Sequence, residues 1–378
     1  MQFKNLLPVA LAAAASAQSI TDVLAANNAT LSTLTTLLGS QPAIVAALNS
    51  ASNITILAPS NAAFAKALNS TAGMAAAAAA MPDVIAALLQ YHVINGTYPA
   101  SAFTKTPAFV PTLLQNSSYT NVTGGQRVEG YVNGSSVVIV SGALAKSMVI
   151  TPDVKFNGGV IHVIDTVLNF PISDSKTAVA AGLTSLASAL TSAKLADTVD
   201  NLKDVTIFAP SNNAFGAIGS ALPNLTTSQL TSILTYHVVQ GTVGYSSLLS
   251  NTTLKTVNGG NVTITVEGGN VFVNSARVII PDVLVSNGVV HVIDNVLNPN
   301  NTAISVVPTA TTPATVAYSG ASSGSATAPV FGSMTTQAAS SGSGLASASK
   351  AAAVQAIPTG AIGMGALFGG AAVLMANS

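Results

Sequence analysis

Hydrophobic residues in this chain follow two periods, helical and strand-like, in an order that occurs twice. Ile85, Leu88 and Leu89 stand at i, i+3 and i+4, the stripe of a helix packed on a core, and Pro82-Asp83 opens it. Leu230, Ile233 and Leu234 repeat that stripe after Thr226-Thr227-Ser228. Thr55-Ile56-Leu57-Ala58 is a short apolar run ended by Pro59, and Ser60 or Asn61 is placed to cap a helix carrying Phe64. Residues 136–140 and 261–266 are apolar and β-branched or alternating, as strands are. Residues 160–168 and 289–297 are apolar on both alternating faces, the pattern of a strand covered on both sides. The pattern predicts an α+β unit with helices first and strands mainly later.

Direct self-comparison shows two copies of that unit. TILAPSNAAF from Thr55 recurs as TIFAPSNNAF from Thr206, an offset of 151 residues. Tyr91-His92-Val93 recurs as Tyr236-His237-Val238, an offset of 145. PDVKFNGGVIHVIDTVLN from Pro152 recurs as PDVLVSNGVVHVIDNVLN from Pro281, an offset of 129. Copy one therefore carries six extra residues between the first two blocks, around residues 72–81, and sixteen between the last two, around residues 107–134. A repeat this long is a tandem pair of domains, since solenoid units run about 20–50 residues.

Three blocks in order, twice over, make the chain resemble the fasciclin-like domain family: strand–Ala-Pro-Ser-Asn–helix, Tyr-His, and Asn-Gly-Val-Val-His-Val-Ile-Asp. Copy one departs slightly, with Gly158-Gly159-Val160-Ile161 in the last block. The resemblance implies two compact β-sandwich wedges with several helices each, and a secreted or membrane-anchored glycoprotein acting in adhesion or in matrix or wall organisation. It looks most like the fungal or plant branch, with the fungal one favoured. In animal members the region around Tyr-His is implicated in receptor binding. Tyr91, His92, Tyr236 and His237, with His162 and His291 of the last block, are thus motif positions for either a structural role or partner contact. A tyrosine ending an apolar helix favours the structural one.

Both ends read as processing signals. Lys4 and the apolar stretch from Leu6 to Ala15, followed by Ala15-Ser16-Ala17, form a secretory signal with cleavage after Ala17. Residues 351–375 are almost wholly apolar, and no charge follows them. With small residues and a spacer upstream, this is the signal for a glycosylphosphatidylinositol (GPI) anchor, whose addition removes the tail. Gly344 suits the spacer length as the attachment residue. The expected organisation is signal peptide 1–17, domain one 18–170, domain two 171–299, stalk 300–350 and removed tail 351–378. From Asn301 to Ser349 there is no charged residue, and Ser, Thr, Ala, Gly and Pro dominate, the composition of an unfolded, O-glycosylated stalk.

Charge and chemistry narrow the function. Twelve Lys+Arg balance twelve Asp+Glu, and charged residues are 6% of the chain against about 25% in an ordinary domain. No basic run exists to hold nucleic acid. The absence of cysteine removes disulfides and thiolate chemistry. The four histidines could suggest a catalytic couple, His162 with Asp165 and His291 with Asp294, with Ser60 or Ser211 as nucleophile. On a regular strand, however, residues three apart point to opposite faces. No cluster offers the three or four ligands of a zinc site, so no metal, cofactor or catalytic residue is expected.

Eleven Asn-x-Ser/Thr sequons are candidate glycan sites: Asn28, Asn53, Asn69, Asn95, Asn116, Asn121, Asn133, Asn224, Asn251, Asn261 and Asn300. The expectation is a non-enzymatic, GPI-anchored glycoprotein on the outer face of the plasma membrane or in the cell wall. Its partners would be surface proteins, wall or matrix polysaccharides, or a second copy of itself. A secreted or wall-bound polysaccharide-binding module is the second reading and a histidine-dependent hydrolase the third.

Overall fold

The protein is described here by a computed structural model covering residues 18–68, 82–304, 306, 318 and 320–322. The expected cleavage after Ala17, the sequon at Asn69, the attachment site at Gly344 and the terminal tail lie outside these residues.

The first unit opens with three short helices, α1 (Ile20–Ala26), α2 (Asn28–Gly39) and α3 (Pro42–Ser50). Ser19 starts α1 with a capping box: its hydroxyl accepts the Asp22 N–H, and the Asp22 carboxylate accepts the Ser19 N–H. Strand β1 (Ile54–Pro59) follows and is buried along its whole length. Ser60 caps α4 (Asn61–Leu68) by accepting the Ala63 N–H at 3.1 Å. Asn61 reaches back to α2, accepting from the Thr33 N–H and donating to the Ala29 carbonyl. Helix α5 (Pro82–Tyr91) buries the predicted stripe of Ile85, Leu88 and Leu89. The strands β2 (Val93–Asn95), β3 (Ala108–Pro111), β4 (Arg127–Asn133), β5 (Ser136–Val140), β6 (Lys146–Phe156) and β7 (Gly159–Ile164) complete the unit.

The sheet order is β2-β1-β7-β6-β5-β4-β3, and β1 with β7 is its parallel pair. The outer edges meet again: Ile94 bridges Thr112, and the Leu113 N–H donates to the Val93 carbonyl at 2.8 Å. The sheet thus folds over itself as a sandwich. Val128 and Ile139 of the sheet and Leu114 of the β3–β4 loop share one core with Leu31 of α2 and Ile85 of α5.

The second unit repeats the plan. Helices α6 (Asp174–Ala180), α7 (Thr184–Ser192) and α8 (Ala196–Asp200) precede β8 (Val205–Pro210), α9 (Asn212–Ala217) and α10 (Thr227–Tyr236). Then come β9 (Val238–Gln240), β10 (Thr252–Lys255), β11 (Asn261–Glu267), β12 (Asn270–Val273), β13 (Ala276–Val285) and β14 (Gly288–Ile293). The order β9-β8-β14-β13-β12-β11-β10 matches the first sheet strand for strand, with β8 parallel to β14. Both units are the α+β sandwich with helices that the resemblance implied. Among the described residues, no single helix is long and apolar enough to cross a membrane.

One expected strand is shorter than read. Residues 160–168 were one apolar run, but β7 stops at Ile164, and Asp165 turns the chain by accepting the Met148 N–H at 2.8 Å. The run after Asp294 breaks in the same way, with Asp294 accepting from the Arg277 N–H at 2.8 Å. Periodicity cannot see this turn, because Val167, Leu168, Val296 and Leu297 are buried as well.

The two units are packed together, partly through the loop that copy one lengthens and partly through residues 142–144, whose Leu144 packs against the core of the second unit. Residues 112–126 join β3 to β4, where the second unit needs only residues 256–260 between β10 and β11. From that longer loop, the Asn121 N–H donates to Ser286 O at 2.7 Å, and Asn121 O accepts from the Asp204 N–H at 3.3 Å. Thr123 donates its N–H to the Asp204 carboxylate at 2.6 Å, and the buried Gln126 donates to Val285 O at 3.0 Å. Beside them Phe109 stacks on Tyr245 with ring centroids 4.3 Å apart, and the Arg127 guanidinium lies 5.9 Å from the same ring.

Candidate functional site

The residues singled out by the repeat converge on two buried histidine clusters per domain, built alike. His92 directly follows α5, and its Nδ1 lies 2.8 Å from the Leu88 carbonyl one turn back. Its Nε2 accepts the Leu168 N–H at 3.0 Å. A nitrogen facing a carbonyl must carry the proton, and one facing an N–H must not, so the ring is the neutral Nδ1–H tautomer. His237 repeats this between Ile233 O at 2.8 Å and the Leu297 N–H at 2.9 Å. Each ring thus fastens a helix end to the segment leaving the parallel strand. Burial drives both imidazoles down to a pKa of about 4, only partly opposed by the backbone carbonyl.

The second cluster holds the opposite tautomer. His162 Nε2 lies 2.8 Å from Tyr98 O, and Nδ1 accepts the Asp153 N–H at 3.1 Å. His291 Nε2 lies 2.7 Å from Gly244 O, and Nδ1 accepts the Asp282 N–H at 3.2 Å. Burial lowers the pKa of His291 as well, with the nearby Asp282 charge opposing it. Asp153 and Asp282 sit in bulges of β6 and β13 with φ of 59° and 61°, a left-handed conformation that Asp tolerates better than most residues. Their carboxylates take N–H groups from the facing loop, Ala100 for Asp153 and Ser246 for Asp282. Thr55 and Thr206 close the network, accepting from the Tyr98 and Gly244 N–H groups at 2.8 and 2.7 Å.

This geometry serves poorly for catalysis. All four histidines are 0–4% exposed, and every ring nitrogen is held by a backbone group. Ser246, Asp282 and His291 do come together, and the Ser246 hydroxyl bonds the Asp282 carboxylate. Yet the imidazole touches the Asp282 backbone, not its carboxylate or the serine, so no nitrogen is left to take a proton. Ser60 and Ser211 cap helices through their hydroxyls. Asp165 and Asp294 bind backbone N–H groups of the neighbouring strand. No group of three or more His, Asp or Glu residues that could hold a metal occurs among the described residues.

The tyrosines of the Tyr-His pairs are also inside. Tyr91 and Tyr236 are fully buried, and their hydroxyls donate to Arg127 O at 3.2 Å and Asn261 O at 2.6 Å. A partner cannot reach either ring while the domain is folded. Among the sequons, Asn28, Asn53, Asn95, Asn116, Asn133, Asn224, Asn251, Asn261 and Asn300 are exposed. Asn121 is half-buried, with its backbone bonded across the domain boundary.

Sequence reasoning missed the residues that join the domains, Phe109, Gln126, Asp204 and Tyr245. It also missed Asp153 and Asp282 as the partners of the strand histidines. The Pro-Asp pair recurs nine residues before each of these histidines, and that spacing was the available signal.

Comparison with known proteins agrees with this architecture. A fasciclin-like arabinogalactan protein of Arthroderma benhamiae is 34% identical over 283 residues, covering 75% of this chain and 67% of the relative. Another, from Phaeosphaeria nodorum, is 31% identical over 296 residues, covering 78% and 92%. The solved FAS1 domain pair of the insect cell adhesion molecule Fasciclin I covers 71% of this chain and 96% of its own at 21% identity. Its TM-score is 0.34. The Fasciclin domain model matches residues 29–171 and 181–299. Two matches, two histidine lattices and two sheets of one strand order place this chain in the fasciclin domain family, with two domains in tandem.

Proposed function

We propose that the chain is a secreted, GPI-anchored glycoprotein that displays a joined pair of fasciclin domains on a Ser/Thr-rich stalk and acts in adhesion or in wall or matrix organisation. One observation carries the reading: the chemistry-bearing residues of both repeats are buried and bonded to backbone, so the chain's work falls to its outer surface. That surface carries few charges and many exposed sequons, which suits glycans as its solubilising coat. The fungal relatives named as fasciclin-like arabinogalactan proteins support a cell-surface or wall-associated place. Partners are surface proteins, wall polysaccharides or a second copy of the chain, and the anchor is attached at Gly344 after cleavage of the leader at Ala17.

Deleting the last 30 residues tests the anchor. The shortened protein is expected in the medium, and phosphatidylinositol-specific phospholipase is expected to release the intact form from cells. Retention of the shortened protein, together with no release by the enzyme, would remove the anchor from this account. Cell-aggregation assays on deletion and overexpression strains address adhesion directly.

A further inference from the structure

The segment after Asn300 has a stalk composition, yet part of it lies on domain two. Tyr318 and Ala321 pack against the apolar core of that domain. The Tyr318 hydroxyl is buried, and burial pushes its pKa up. Ser220, in the turn after α9, exchanges two hydrogen bonds with Ser322. Its N–H donates to Ser322 O at 3.2 Å, and its Oγ accepts the Ser322 N–H at 2.8 Å. The Ala321 N–H donates to Tyr318 O at 3.2 Å, closing a turn, and Gly320 within it has φ +82°. That is the backbone position a type II turn demands at its third residue, where glycine is favoured.

We propose that domain two carries a docking site for a tyrosine-anchored peptide of small residues, and that its occupant is the chain's own Tyr318 with Gly320, Ala321 and Ser322. Three features fit this occupant. An aromatic ring supplies the apolar anchor, a glycine turn supplies the shape, and the paired bonds to Ser220 set the register. Neither charge nor a long side chain is used, which suits a stretch that has almost none. Docking also changes the reach of the stalk. Counted to Gly344, a free chain from Asn300 spans about 37 Å as a flexible coil, whereas one leaving the domain after Ser322 spans about 25 Å, at about 5–6 Å × √n. This consequence rests on the stalk and anchor reading above; the docking itself does not, and the test reads docking alone.

Chymotrypsin cuts after exposed aromatic residues, so Tyr318 reports its own docking. The intact chain, made without O-glycans and held in detergent, is digested beside a free peptide spanning residues 312–326, with cleavage after Tyr318 followed by mass spectrometry. At least tenfold slower cleavage is expected in the chain than in the peptide. Gly320→Val should bring the rate to within about threefold of a peptide carrying the same change. Ser220→Ala should raise it part of the way, and Tyr318→Phe should remain protected because its ring still docks. Cleavage of the unaltered chain as fast as the peptide would overturn the proposal. So would equal protection in the chain, Gly320→Val and Ser220→Ala.

Discussion

The two domains share a histidine lattice bond for bond but differ beneath their first helix. The Gln18 carbonyl accepts the Asn157 N–H in domain one, and the Ile172 carbonyl accepts the Ser286 N–H in domain two. That bond aligns Ile20 with Asp174, Val23 with Thr177, Leu24 with Ala178, and Gly158 with Asn287. Domain one therefore fills the position with aliphatic side chains beside a glycine. Domain two buries an acid–amide pair: Asn287 Nδ2 donates to Asp174 Oδ2 at 2.8 Å, and one oxygen of each side chain has no partner. The smaller Thr177 and Ala178 help to leave a cavity of about 30 Å³ bounded by Asp174, Leu190, His237 and Val290. Burial raises the Asp174 carboxyl to a pKa of about 8, so it is mostly protonated at neutral pH. The backbone lattice is what the two copies hold in common, and the core beneath it is free to vary.

The largest predicted effect falls on the shared part. His92→Ala and His237→Ala each orphan a backbone N–H and open a hole, costing about 2–4 kcal/mol in their own domain. Denaturant unfolding followed by probes in each domain should show similar losses. A loss in one domain alone would mean that the matching geometry does not carry matching energy.

Next comes a pH response confined to domain two. Asp174 binds its proton more tightly folded than unfolded, so its contribution is fully present below about pH 4 and is lost as pH rises through about 8. Asp174→Asn should stabilise domain two at pH 8 by about 1–3 kcal/mol, with little effect at pH 4. Domain one, with Ile20 there, should lack the Asp174 contribution, its own acid with a raised pKa being Glu129, at about 7. On the acid side both domains should lose stability through His92 and His237, whose pKa values are depressed alike, and domain two should lose more because burial lowers His291 as well. The contribution of His92 and His237 is present above about pH 6.5 and is lost as pH falls through about 4. Melting temperatures from pH 4 to 9 separate the two responses.

The smallest effect concerns the contact between domains. Glu129 is raised to about 7 by burial, then by Asp282 of the other domain, with Lys146 opposing. The contact should loosen as pH rises from about 4.5 to 7, and Glu129→Gln should remove that dependence at a gain of about 1 kcal/mol or less. Interdomain hydrogen exchange at Asn121 and Asp204 reads it.

Much of this architecture was legible because duplication separates signal from drift. The stripes of α5 and α10, the strand–cap–helix blocks and the histidines recur in register, and each recurrence marks a position that packs or bonds. What lacks a counterpart could not be read that way. The sequence showed only that copy one carries extra residues around 107–134, yet within them Asn121, Thr123 and Gln126 grip domain two. The pairing of Asp174 with Asn287 joins residues far apart in sequence, and nothing local in either segment announces it. The buried ends of residues 160–168 hid the turn at Asp165, because burial continues where the strand does not.

Long-range proton–nitrogen NMR of the four imidazoles at pH 7 tests the central claim, that the repeated histidines are fixed structural struts. The account predicts two rings locked as Nδ1–H, His92 and His237, and two locked as Nε2–H, His162 and His291. Exchange between tautomers at any ring, or a reversed assignment within either pair, would contradict it.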